Sequence, residues 1–121
     1  LPVYINSNLY FNKANSFNRE LDNYENREFV PKISIEKKKN SYYLNFEIDD
    51  SFKKVKTSLV NTNTLGTAFQ SEATFENKDA SPMVLDTDML NNKRNISSPI
   101  VGPFEKIKKG KNYIKIFTAQ R

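Results

Sequence analysis

Residues 32–48 read Lys-Ile-Ser-Ile-Glu-Lys-Lys-Lys-Asn-Ser-Tyr-Tyr-Leu-Asn-Phe-Glu-Ile, and this stretch decides the fold class. Lys32 to Glu36 alternates apolar and polar, Lys37 to Asn40 is polar and lysine-rich, and Ser41 to Ile48 alternates again. A period of two places Tyr42, Leu44, Phe46 and Ile48 on one face, with Tyr43, Asn45 and Glu47 on the other. That is the pattern of a hairpin with one buried face, and the lysines are a charged tip that keeps it soluble.

Downstream, Asp49-Asp50-Ser51 stops the second strand and is suited to cap a single helical turn through Phe52 and Val55. Ser58 to Thr62 resumes β character, and Leu65 to Phe69 follows with Gly66 placed for a bend or bulge. Near the C-terminus, Lys109-Gly110-Lys111 reads as a turn and Asn112 to Thr118 as a last alternating strand. This strand has Ile114 and Ile116 on one face and Tyr113, Lys115 and Phe117 on the other. Apolar content on both faces predicts an interior position in a sheet.

Upstream, Val3-Tyr4-Ile5 and Leu9-Tyr10-Phe11 are short apolar runs divided by Asn-Ser-Asn, as in a hairpin or a rung of a β-helix. Phe17, Leu21 and Tyr24 stand at helical spacing, which leaves a short helix open for the polar segment around them. Short strands separated by Gly, Pro and Asn predict an all-β fold, an antiparallel β-sandwich with long ordered loops. No fixed-period repeat runs through the chain, which weighs against a solenoid throughout.

At 121 residues the chain is the size of one domain. Its apolar share of 37% is below the roughly 45–50% usual for globular domains. Nine Phe and six Tyr offset this, because large rings bury much apolar area. The formal charge of +5 comes mostly from Lys, with Arg only at Arg19, Arg27, Arg94 and Arg121. A nucleic-acid binder would show a denser Arg/Lys patch, so neither nucleic acid nor a membrane is expected as a partner. The chain has no Cys and no His. Disulfides, thiolate metal sites, His-based nucleophile systems and the usual zinc and iron ligand sets are thereby excluded.

The turn-rich stretch Ala73 to Glu105 carries the densest polar chemistry. Asp86 and Asp88, at i and i+2 on an extended chain, point the same way and can share a hard cation such as Ca2+. EF-hand spacing fails, however, because Asn91 stands at the sixth position and Ser97 at the twelfth. The alternative is that one carboxylate caps a turn and the other pairs with Lys93 or Arg94. A retaining glycosidase pair would need two carboxyls about 5–5.5 Å apart, one with a raised pKa, and the basic neighbours oppose that. The stretch is therefore read as a structural loop, anchored by Phe75 and Phe104 near its ends. No cofactor is required, with calcium kept as the alternative. Tyr43 and Tyr113, on the less apolar strand faces, are the candidates for stacking on a sugar. Asn95-Ile96-Ser97 matches the glycosylation acceptor pattern.

Thr57-Ser58-Leu59-Val60-Asn61-Thr62, Leu65-Gly66-Thr67-Ala68, Phe75-Glu76-Asn77-Lys78-Asp79-Ala80-Ser81-Pro82, Asp86-Thr87-Asp88, Lys93-Arg94-Asn95 and Gly102-Pro103-Phe104-Glu105 occur in this order. This series resembles the C-terminal region of bacterial right-handed parallel β-helix proteins related to glycoside hydrolase family 120, a β-xylosidase family. The opening residues, Pro2 to Ala14, resemble the hand-over from the last coils to that region. The resemblance implies a β-helix remnant within 1–30 and a β-sandwich over 31–121. It also implies that the opening residues lie within a longer, secreted or periplasmic polypeptide. The function implied is a non-catalytic C-terminal accessory domain packing on or capping a catalytic β-helix. An autonomous carbohydrate-binding module that meets polysaccharide is the alternative. The catalytic carboxylates of such enzymes lie on the β-helix, upstream of this chain, so none carries over. The chain alone is then no enzyme, although its parent is expected to be a glycoside hydrolase. One departure stands out: Met89, Leu90, Asn91 and Asn92 occupy a span where the family pattern has an aromatic pair and a glycine.

Overall fold

The computed structural model describes residues 4–119. The hairpin forms as the alternation predicts. Strand β3 (Ser34–Lys38) pairs antiparallel with β4 (Ser41–Ile48), with Ile35 opposite Leu44 and Glu36 opposite Tyr43. The turn is shorter than the lysine run, because Lys37 and Lys38 belong to β3 and only Lys39 and Asn40 reverse the chain. β4 also pairs antiparallel with β5 (Gly110–Thr118), giving the order β3-β4-β5. The last strand is thus an edge and the hairpin's second strand is central, the reverse of the interior position expected for Asn112–Thr118. Its two-sided apolar content has a local cause. The register slips between Tyr42 and Tyr43, so that Phe117 pairs with Tyr42 and Lys115 with Tyr43. Phe117 therefore joins the Leu44 and Ile114 side, its ring 5.9 Å from that of Tyr42.

Asp49 ends β4 and caps a 3-10 turn (Asp50–Lys53), its side chain accepting the Ser51 N–H at 3.0 Å. This turn and the residues after it place Phe52 and Val55 in the core with Ile48 and Phe104, the four buried apolar residues among those described. Ser58–Thr62 forms no ladder strand. A single bridge joins Asn61 to Val84, and Asn61 then caps the short helix α1 (Thr62–Leu65) by accepting the Thr64 N–H. Asn at this position satisfies an otherwise orphaned helix N–H, which outweighs the weak β preference of the run. Gly66 ends α1 at φ 69°, so it serves as a helix stop rather than a strand bulge.

Among the described residues the N-terminal segment holds no helix. Strand β1 (Leu9–Phe11) pairs in parallel with β2 (Tyr24–Asn26), and Asn6 bridges Leu21 in the same direction. Leu9 faces Tyr24, Tyr10 faces Glu25 and Phe11 faces Asn26, so every pair keeps one constant sequence offset. The helical spacing of Phe17, Leu21 and Tyr24 is overridden by this pairing, which takes Tyr24 into β2 and Leu21 into the bridge. Of the apolar run at residues 3–5, Val3 lies outside the described residues, and Tyr4 and Ile5 join no strand. The fold is all-β, a three-stranded antiparallel sheet and a two-stranded parallel one joined by long ordered loops.

Candidate functional site

Between the two sheets lies an apolar cleft of about 290 Å3, lined among others by Leu9, Phe11, Leu44, Phe46, Ile48 and Phe104. Phe104 stacks on Phe46 with ring centroids 6.4 Å apart, and it is buried as an anchor should be. Phe75 is not an anchor: the residue is 42% exposed, and its carbonyl accepts the Thr62 hydroxyl at 2.6 Å. The excursion carrying Phe75 runs along the surface by single bridges, Thr67 to Thr74 and Glu76 to Pro82, which leaves the ring outside.

The central stretch closes into a polar knot around Asp88, which is 6% exposed. Its carboxylate accepts the backbone N–H groups of Leu90, Asn92 and Glu105, each at 2.8 Å, and the Asn92 side-chain amide at 3.0 Å. Burial pushes this carboxyl up. The N–H groups of Glu105, Asn92 and Leu90 outweigh that and hold it at about 2. Asp86 turns to solvent and takes Lys93 Nζ at 2.6 Å, a contact that lowers its pKa. The two carboxylates at i and i+2 thus serve different partners. They diverge because Thr87 bridges Lys93 while the chain reverses through Asp88–Asn91, with Asn91 at φ 61°. Among the described residues no group of three or more acidic side chains gathers to hold a metal.

Arg94 pairs with neither Asp. Its guanidinium donates to the carbonyls of Ile100 at 3.0 Å and Gly102 at 2.8 Å, and meets Glu105 Oε2 at 3.3 Å. Glu105 in turn accepts the N–H groups of Asn95 and Ile100, both at 2.9 Å. The planar fork of Arg suits such a two-carbonyl, one-carboxylate clamp. Glu105 was not apparent from the sequence as a partner, although its place beside Phe104 was. Asn95 folds its side chain back onto the N–H groups of Ser97 and Ser98, both at 2.9 Å.

A second knot holds the N-terminal segment. Glu20, 7% exposed, accepts Asn8 N at 3.0 Å, Asn8 Nδ2 at 2.7 Å and the Tyr10 hydroxyl at 2.6 Å. Burial raises its pKa, but the bonds from Tyr10 and Asn8 prevail and leave it lowered. Asn26 ties β2 to the 3-10 turn, donating to Asp49 Oδ2 at 2.6 Å and Ser51 Oγ at 2.9 Å.

Tyr43 and Tyr113, named from strand parity alone, do meet on the outer face of the sheet. Their rings stack 4.7 Å apart and 6° from parallel, with Lys38 Nζ 4.9 Å from the Tyr113 centroid and 5.9 Å from that of Tyr43. One face of each ring is taken by the other. That leaves one face of each ring for any other partner, and Tyr113 stays 46% exposed.

Fold and site together define an all-β domain whose conspicuous acidic residues are structural. No protein-family model matches the chain, and no curated protein does. Among solved structures the chain is similar to XylC, determined as a complex with xylose, at 40% identity and a TM-score of 0.85. The match covers 96% of this chain and 18% of XylC, so the chain spans less than a fifth of that protein's length.

Proposed function

We infer that this chain is a non-catalytic accessory domain of a larger carbohydrate-active protein of the glycoside hydrolase kind, packing on or capping a parallel β-helix. The observation that carries the reading is the similarity of nearly the whole chain to a small part of XylC, a protein solved with xylose. Three features of the chain support it. A general acid needs a raised pKa, whereas Asp86, Asp88, Glu20 and Glu25 are all lowered. The parallel β1–β2 pair, joined by a polar linker that holds no helix, is compatible with a segment continuing a β-helix. Large apolar side chains stand out of the loops, including Phe69 (70% exposed), Met89 (60%) and Ile96 (82%), as on a surface that meets a partner.

Docking is the test. XylC from which the matched segment has been removed, mixed with this chain, should form a complex whose binding has a negative heat-capacity change, the mark of buried apolar surface. Met89→Asp and Ile96→Asp should weaken that complex, and the chain alone should not turn over aryl xylosides or arabinosides. Turnover by the isolated chain that disappears in Asp86→Asn would refute the non-catalytic reading. Failure to form any complex would refute the docking.

A further inference from the structure

No acidic residue follows Glu105, whereas Lys106, Lys108, Lys109, Lys111, Lys115 and Arg121 do, and all 14 Asp and Glu lie before them. The net charge of +5 therefore originates in this short C-terminal stretch. We propose that the Lys106–Lys111 turn and the head of β5 form a binding site for a uronate-bearing saccharide. An open cleft of about 470 Å3 is lined by Lys106, Ile107, Lys108, Lys111, Tyr113 and Ile114. Among the described residues, Lys106, Lys108 and Lys111 enter no ion pair, while neighbouring Lys109 is engaged by Asp50 at 2.6 Å. Three lysines without an ion-pair partner thus border one concavity, the nearest acid in the strand register being Glu47 opposite Lys111.

The backbone beneath them is fixed in advance. Asn112, 7% exposed, accepts the Lys108 N–H at 3.0 Å and donates to the carbonyls of Lys108 at 2.7 Å and Gly110 at 3.1 Å. Gly110 supplies the left-handed φ of 89° that the turn requires. A turn already ordered loses less freedom when a ligand arrives. Ile107, Tyr113 and Ile114, which line the same cleft, put apolar surface beside the lysines. That combination fits a pyranose carrying a carboxylate, the ring against the apolar wall and the carboxylate at the lysines. The clamp residue Arg94 lies in another part of the fold, so the cleft is built from lysine point charges rather than guanidinium forks.

The proposal rests on the carbohydrate reading above in choosing a saccharide over other polyanions. Its test uses the chain alone, so a negative result leaves docking untouched and failed docking leaves this result standing. The chain is titrated calorimetrically with polygalacturonate, neutral xylan and single-stranded DNA at about 0.15 M salt, where exposed charges are screened beyond roughly 8 Å. The triple variant Lys106→Gln/Lys108→Gln/Lys111→Gln is compared with Lys13→Gln/Lys56→Gln/Lys78→Gln, which removes equal charge from exposed positions elsewhere. Polygalacturonate should bind, neutral xylan and DNA should bind more weakly, and only the first triple should lose affinity, by about tenfold. Equal losses in both triples would reduce the effect to net charge and overturn the site. So would DNA binding as tight as that of polygalacturonate, or no polygalacturonate binding by the unaltered chain.

Discussion

Asp88→Ala removes the acceptor on which four N–H groups of the loop converge. Three are backbone donors at 2.8 Å, from Leu90, Asn92 and Glu105, and none has another strong acceptor assigned at that end of the loop. A hydrogen bond to a charged group contributes roughly 1.5–3 kcal/mol, but these share one relaxing loop and do not add, so the expected loss is about 3 kcal/mol. For a domain with roughly 5–15 kcal/mol of stability, that is a large fraction. The effect also has a pH signature. The folded pKa of about 2 lies below the usual carboxylate value, so the stabilisation is present above that value and is lost as pH falls through the folded pKa. The gap between the parent chain and Asp88→Ala should be full near neutrality and close as pH falls from about 4 to about 2. Asp50, also held at about 2 through Lys109 and Lys53, titrates in the same window, but it does so in both proteins and cancels. Urea unfolding followed by circular dichroism at several pH values reads the gap directly. A difference under about 0.5 kcal/mol near neutrality, or one unchanged at about pH 2, would refute the knot as the loop's organiser.

Phe104→Ala should cost about 3 kcal/mol in the same unfolding assay, the low end for large aromatics because the adjoining cleft already offers space. Phe75→Ala should stay within about 0.5 kcal/mol, and equal losses would mean that the exposed ring is an anchor after all. Arg94→Lys should destabilise by roughly 1–3 kcal/mol, since one ammonium cannot reach two carbonyls and Glu105 together; an unchanged urea midpoint would contradict the clamp. Saturating calcium should leave the melting temperature unchanged, because Asp86 and Asp88 are already engaged by protein donors; a rise reversed by chelator would establish a metal site.

Where local pattern and pairing agree, the fold was legible. The 32–48 hairpin and the Asp49-capped turn each depend on neighbours close in sequence. The misreadings share the opposite property. The edge position of β5 depends on which strand pairs with β4 across the long central loop, and no alternation in Asn112–Thr118 encodes that. The parallel β1–β2 pair is hidden for a related reason. A constant offset over one pair of strands gives no repeat to detect, and the polar linker supplies a chance helical spacing at Phe17, Leu21 and Tyr24.

The site was less legible than the fold because its chemistry runs through the backbone. Asp86-Thr87-Asp88 advertises a paired-carboxylate function, yet Asp88 is consumed by N–H groups that any residue except proline would supply. Its third backbone donor comes from Glu105, and only the closed loop brings that group near. An acidic pair beside Lys93 and Arg94 thus resolves into one surface ion pair and one buried cap, while Arg94 goes to Glu105. Parity did better for Tyr43 and Tyr113, because side-chain period two on paired strands is a strong constraint on which residues share a face. It could not reveal that the rings would stack on each other.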